Sequence, residues 1–193
     1  MPITHKIEKK DISILLWEIT EGLETLQVLA KEINTKCHPS EKRKKEQLAS
    51  RLLLQEISPN TEINYNEFGA PFMNNDKHIS ISHSNRLVAI IISEQQVGID
   101  IEEVSEKALR LSSKFVSKKN LKNLTKEKAT LIWCIKEAVY KWHQKGGVNF
   151  TKDIIIPKFS AKEKETITIQ FKNKKLNLNY QKINNHYLVY LCK

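Results

Sequence analysis

Residues 78–102 hold three short runs, "HISIS", "RLVAIIIS" and "VGIDIE", rich in β-branched residues and separated by polar turn segments. Each is too short for a stable helix, and their close succession predicts three consecutive strands forming a meander. The remaining chain alternates around them. A strand is expected at 12–19 and an amphipathic helix in "EGLETLQVLAKEI". The pattern breaks at "CHPS", where Pro39 and Ser40 can start a basic helix running through "EKRKKEQLASRLLLQEI" and stopping near Ser58-Pro59. A turn-rich stretch, "NEFGAPFMNNDK", leads into the strands. After Val104 come short helical pieces and then a strong helix over about 125–145, ended by Gly146-Gly147. "TITIQF", "LNLNY" and "HYLVYL" predict an antiparallel sheet closing the second half. No repeat, low-complexity tract or flexible linker interrupts this order, which describes an α+β fold of one domain or two lobes.

The 193 residues suffice for a real core, and 40% hydrophobic with 28% charged residues fits a soluble globular chain. The longest aliphatic run, 87–92, is far below the roughly 18 apolar residues that span a bilayer. No apolar stretch follows the charges of "MPITHKIEKKD", so no secretory signal is expected. Cys37, Cys134 and Cys192 are scattered and odd in number, which argues against a disulfide framework or a CxxC zinc site. The expectation is a cytoplasmic protein with reduced thiols. A net charge of +10 favours acidic partners: nucleic acid, phosphorylated small molecules or an acidic protein. The lysines are spread along the whole chain rather than gathered into a patch interleaved with aromatics, which disfavours the alternative of a basic nucleic-acid-binding module.

Within "VGIDIE" an extended backbone sends Val97, Ile99 and Ile101 to one face and Gly98, Asp100 and Glu102 to the other. The two carboxylates would stand side by side, their Cα atoms about 6.6 Å apart, and carboxylate oxygens are what a hard divalent cation prefers. An ordinary half-buried strand would show the same alternation. Downstream, "LIWCIKEAVYKWHQ" on a helical wheel directs Leu131, Ile132, Cys134, Ile135, Ala138, Val139 and Trp142 to a core. The opposite wedge carries Trp133, Lys136, Glu137, Tyr140, Lys141 and Gln144, one acid among lysines and aromatics. Glu137 and Lys141 at i and i+4 also make a common surface pair. Taken together, the acidic strand and this helix offer three carboxylates for one cation and two lysines for phosphate oxygens bound to it.

"VGIDIE" followed by "WCIKEAVYKW" resembles the paired signatures of 4′-phosphopantetheinyl transferases, GxDxE and WxxKEAxxK. "ISISHS" is similar to the family's ISHS segment, and "ASRLLL" to its arginine-bearing helix. The chain looks like the larger, single-chain class that activates peptide and polyketide synthetases. The resemblance implies a monomer of two similar α/β lobes related by a pseudo-two-fold, each an antiparallel sheet packed by a long helix. The lobes would be residues 1–96 and 97–193, with the active site between them. It implies transfer of the phosphopantetheine arm of coenzyme A to a serine of an acyl or peptidyl carrier protein, with release of adenosine 3′,5′-bisphosphate. Neither nucleic acid nor membrane is an expected partner.

Carried over by position, the resemblance makes Asp100, Glu102 and Glu137 ligands of a divalent metal, Mg²⁺ or equally an oxygen-loving Mn²⁺. Lys136 and Lys141 would neutralise the pyrophosphate, His83 would contact a coenzyme A phosphate, and Arg51 would grip the adenosine 3′-phosphate. Glu137 would accept the serine proton, directly or through a metal-bound water, with Lys141 also catalytic. Two departures stand out: Ala70 in "GAPF", where the family writes a basic residue, and Asn120 in "KFVSKKNL", where it usually ends in an acid. An acidic carrier would be steered by the basic surface.

Overall fold

A computed structural model describes residues 3–31, 33, 38–117 and 120–193. Cys37 of "CHPS" and Lys118-Lys119 of "KFVSKKNL" lie outside the described residues.

The apolar alternation of the strands sorts them into two antiparallel sheets. β1 (Ile3–Lys9), β2 (Ile12–Glu18), β6 (Leu87–Ser93) and β5 (His78–Ser84) form one, in the order β1-β2-β6-β5. β7 (Val97–Glu103), β11 (His186–Cys192), β10 (Lys174–Ile183), β9 (Lys164–Phe171) and β8 (Ile154–Ile155) form the other. A small hairpin pairs β3 (Ile63–Tyr65) with β4 (Pro71–Met73). Helices α1 (Leu23–Leu29) and α2 (Glu41–Ile57) belong with the first sheet. After β7 come α3 (Glu106–Leu111), a 3₁₀ turn at Ser112–Lys114, and α4 (Lys126–His143).

Strand parity decides which face packs where. Leu15, Trp17, Ile79, Val88 and Ile90 bury against Leu48, Leu52 and Leu53 of α2. The alternate residues Ile14, Leu16, Ala89 and Ile91 turn the other way, onto Ile99, Ile101, Leu188 and Tyr190 of the second sheet. On that sheet's far side Val189 and Leu191 join Leu131, Ile135, Ala138 and Val139 of α4. The order is therefore α2, sheet, sheet, α4, and every residue of β6 is buried. Each fully buried Ile or Leu contributes about 1.5–3 kcal/mol, so the interior layers dominate stability.

The expected meander is correct for β5 and β6 only. β6 already has β2 on one edge and β5 on the other, so β7 leaves the sheet and pairs with β11, with Val189 opposite Asp100. Its aliphatic face then packs on β6 instead of beside it. β1 carried no apolar alternation because it is an edge strand with an almost wholly solvated pattern, and lysines there oppose edge-to-edge pairing. α4 stops at His143, earlier than the glycines, because Gln144 adopts the left-handed conformation (φ +56°).

Candidate functional site

The free edge of β7 meets β5 through side chains. "ISISHS" alternates Ser80, Ser82 and Ser84, whose hydroxyls accept from the backbone N–H groups of Ile99 (3.2 Å), Ile101 (3.2 Å) and Glu103 (2.9 Å). The two strands run in the same direction, so this serine ladder replaces a backbone ladder and stitches the sheets together. Ser82 also donates to Asp100 Oδ1 at 2.8 Å. Every second residue being serine was the signal in the sequence, and its meaning emerges only once β7 lies alongside.

The other face of β7 meets α4. A Cβ on Gly98 would stand 2.1 Å from the Ala138 carbonyl oxygen and 2.7 Å from Trp142 N and Cβ. The missing side chain lets the helix settle onto the strand, which delivers Glu137 and Lys141 to the level of Asp100. Lys141 Nζ donates to Asp100 Oδ1 at 2.7 Å. Asp100 is 2% exposed, and its Oδ2 is buried without a hydrogen-bond partner among the described residues. Trp133 Nε1 donates to Glu102 Oε1 at 3.1 Å.

These acids act on one another electrostatically. Burial and then the Asp100 charge push Glu137 up to about 7, with Lys141 opposing and Glu102 adding to the rise. Burial and Asp100 push Glu102 to about 7 as well, against the Trp133 hydrogen bond and the charges of Lys141 and Lys107. The Lys141–Asp100 hydrogen bond joins the acidic strand to the turn of α4 that carries Glu137. Among the described residues, no three His, Cys, Asp or Glu side chains form a ready-made metal cluster.

Beside Glu137 and Lys141 opens a cavity of about 460 Å³, within the range of small-molecule sites. Glu137, Tyr140 and Lys141 of α4 form one wall, and His83 of β5 with Arg43 and Glu46 of α2 form the facing one. Phe68 and Ala70 of the β3–β4 turn close the rim, where Gly69 takes φ +77° and Asn66 Oδ1 accepts from Phe68 N and Ala70 N, both at 2.9 Å. Asn66 Nδ2 also donates to Gln144 O at 3.2 Å, anchoring the turn to the end of α4. Asp100 and Glu102 do not line this cavity. Burial, with Arg43 and Lys141, holds His83 below its ordinary pKa, and Glu46 pulls the other way.

Two expected members stand elsewhere. Lys136 is 4% exposed, and its Nζ donates to the Phe150 and Ile154 carbonyl oxygens, so it faces away from Glu137. The wheel had it on the polar wedge, but the segment 144–155 folds back over that edge of α4 and supplies acceptors there. Burial lowers its pKa to about 8. Arg51 is 7% exposed, reaches Gln47 O at 3.4 Å, and lies along a groove beside Leu52 and Thr61, not on the cavity. Arg43, eight residues earlier on α2, occupies the cavity wall instead. Arg43, Glu46, Gln47 and Ser50 recur at helical spacing and all line the cavity, a periodicity present in "RKKEQLAS" but hidden among its many charges.

Lys136→Met is expected to strand two carbonyl oxygens and lower stability by about 2 kcal/mol in thermal unfolding, because a buried acceptor left unpaired costs about 1–3 kcal/mol. Stability equal to wild type would show that these contacts are not maintained in solution.

Comparison with known proteins agrees with the geometry. The model of the 4'-phosphopantetheinyl transferase superfamily matches residues 96–192, which contain β7, α4 and the whole second sheet. Among curated proteins, 4'-phosphopantetheinyl transferase gsp of Aneurinibacillus migulanus is 32% identical over 140 residues, 67% of this chain and 57% of that protein. 4'-Phosphopantetheinyl transferase Sfp of Bacillus subtilis (strain 168) is 34% identical over 89 residues, 42% of this chain and 40% of that protein. The chain thus spans about half the length of the curated relatives it matches. With the two sheets, the acidic strand against α4 and these matches, the chain belongs to the 4'-phosphopantetheinyl transferase superfamily.

Proposed function

We propose that this protein transfers the 4′-phosphopantetheine group of coenzyme A to a serine hydroxyl of an apo carrier protein and releases adenosine 3′,5′-bisphosphate. The observation that carries this reading is the link between the buried Asp100 and Lys141, which lines a cavity together with Glu137, Arg43 and His83. Family membership supports the reaction class.

Serine is a weak nucleophile until its proton is removed, and the acceptor must be a base at neutral pH. Glu137 suits that task, since its side chain reaches the cavity and, before a cation binds, burial and its acidic neighbours lift it to about 7. The serine oxygen forms a bond to the phosphorus on the pantetheine side of the pyrophosphate. The bond from that phosphorus to the bridging oxygen breaks, the electron pair leaves with the bisphosphate, and Glu137 retains the proton. Lys141 and Arg43 offset charge on the phosphate oxygens. Asp100, Glu102 and Glu137 would hold a divalent cation such as Mg²⁺, for which the unpartnered Oδ2 of Asp100 and the all-oxygen donor set are suited. When bound, such an ion supplies charge withdrawal from the pyrophosphate. Ser82 and Lys141 keep Asp100 oriented through its other oxygen.

The direct test incubates the protein with coenzyme A, Mg²⁺ and apo carrier proteins of the fatty-acid, polyketide and nonribosomal-peptide types, followed by mass spectrometry of the carrier. A phosphopantetheine mass increment on at least one carrier, abolished by a chelator, is expected. No increment on any carrier would reject the reading.

A further inference from the structure

Glu46 is an unexpected residue for the wall of a cavity that receives an anion. Its carboxylate is 5% exposed and lies within α2, where the Arg43 Nη1 donates to Oε2 at 2.9 Å. The same Nη1 donates to His83 Nε2 at 2.8 Å. His83 Nε2 stands 3.6 Å from Glu46 Oε2, and Lys42 Nζ is 3.9 Å from Oε1. Across the cavity Lys141 is paired with Asp100. Two cations of the cavity wall, Arg43 and Lys141, are therefore each engaged by a carboxylate of the protein.

The two pairs differ in where the cation can go. Asp100 Oδ1 keeps the Ser82 hydroxyl if Lys141 turns away. Arg43 is half exposed and already lines the cavity, whereas the Glu46 carboxylate is buried. Arg43 Nη1 carries two hydrogens, and Glu46 and His83 occupy them, so a phosphate oxygen that takes this nitrogen competes with the Glu46 carboxylate for it.

We propose that Glu46 is a resident counter-anion of Arg43, and that a phosphate group enters this end of the cavity by exchanging with the Glu46 carboxylate on the guanidinium. The exchange makes Glu46 an affinity-setting residue, one that weakens coenzyme binding and eases departure of the nucleotide product. It rests on the reading of the cavity as the coenzyme site. The charged and titratable groups that face the exchange are Lys42 and Arg43 on α2, His38 before it, His83 on β5, Glu137 and Lys141 on α4, and Lys145 just after it.

The test titrates coenzyme A and, separately, inorganic pyrophosphate into wild type, Glu46→Gln, Arg43→Gln and the double variant by calorimetry. Releasing Arg43 from a charge-assisted bond is expected to tighten both ligands about tenfold in Glu46→Gln, the equivalent of about 1.4 kcal/mol. In the Arg43→Gln background the same change is expected to have little effect, because the competed donor is gone. Weaker or unchanged binding in Glu46→Gln would make Glu46 a support for Arg43 and overturn the proposal. Equal tightening in both backgrounds would reduce it to through-space repulsion and overturn it too. Glu46→Asp, which keeps the charge but shortens its reach, is measured beside them and is expected to tighten both ligands; should Glu46→Gln not fold, this variant decides. Wild type that binds pyrophosphate but not coenzyme A would strike the transferase reading, while the pyrophosphate arm still judges the exchange.

Discussion

Replacing Glu137 by Gln is expected to lower phosphopantetheine transfer roughly 10³-fold, since a positioned general base contributes about 10²–10⁴-fold. The amide keeps the size of the side chain but accepts no proton. The fold is expected to survive, and in metal-free buffer to gain. Glu137 and Glu102 both have folded-state pKa values raised to about 7 from an ordinary 4.5. A carboxyl raised on folding contributes stability that is complete below about 4.5 and is lost as pH climbs through 7, where the native state must ionise it among other acids. At pH 8 the neutral Gln avoids that cost, so the metal-free variant is expected to melt higher than wild type at pH 8, with the difference vanishing at pH 4.5. Added Mg²⁺ is expected to raise the melting temperature of wild type more at pH 8 than at pH 5.5, and that of the variant little. Undiminished turnover by Glu137→Gln would remove the base assignment. A variant that melts lower at pH 8 would contradict the electrostatic account of the acid group.

The second large effect concerns no polar atom. Gly98→Ala places a methyl 2.1 Å from the Ala138 carbonyl oxygen and 2.7 Å from two atoms of Trp142. Two of the three obstructing atoms are backbone, so rotamer changes bring no relief and α4 must move away from β7 as a unit. Over-packing of this kind costs about 3 kcal/mol, or roughly 6–12 °C of melting temperature for a chain of this size. The displacement also separates Glu137 and Lys141 from Asp100, so transfer is expected to fall along with stability. Wild-type melting and activity in Gly98→Ala would mean that the helix lies farther from the strand than described.

Much of this architecture was legible in advance. α2 matches the basic segment from Glu41 to Ile57 because its leucines repeat at helical spacing and Ser58-Pro59 ends it. β9, β10 and β11 coincide with the three alternating runs of the tail. That Asp100 and Glu102 share one face of β7 followed from period-two spacing, whereas their place against α4 was implied by the family resemblance. What escaped reading was decided between elements. Lys136 is a polar residue on a helical wheel, and only the returning segment with Phe150 and Ile154 turns its edge of the helix into an interior. Arg51 and Arg43 are alike in composition, and which of them meets the cavity depends on how α2 is rotated against β5.

By itself the chain of residues determined the longer interior strands, the long helices and the carboxylate pair, because backbone geometry imposes a repeat that side-chain polarity must follow. It could not determine that β7 would abandon the sheet of β6, or that three serines of β5 would cap its free edge. Those outcomes depend on which sheet edges are already occupied and on which buried N–H groups still need an acceptor. Tertiary packing decided, for the same reason, that Gly98 serves closeness to α4 and that Glu46 shares a cavity wall with Arg43 and His83: both are properties of distance between segments that no local pattern encodes.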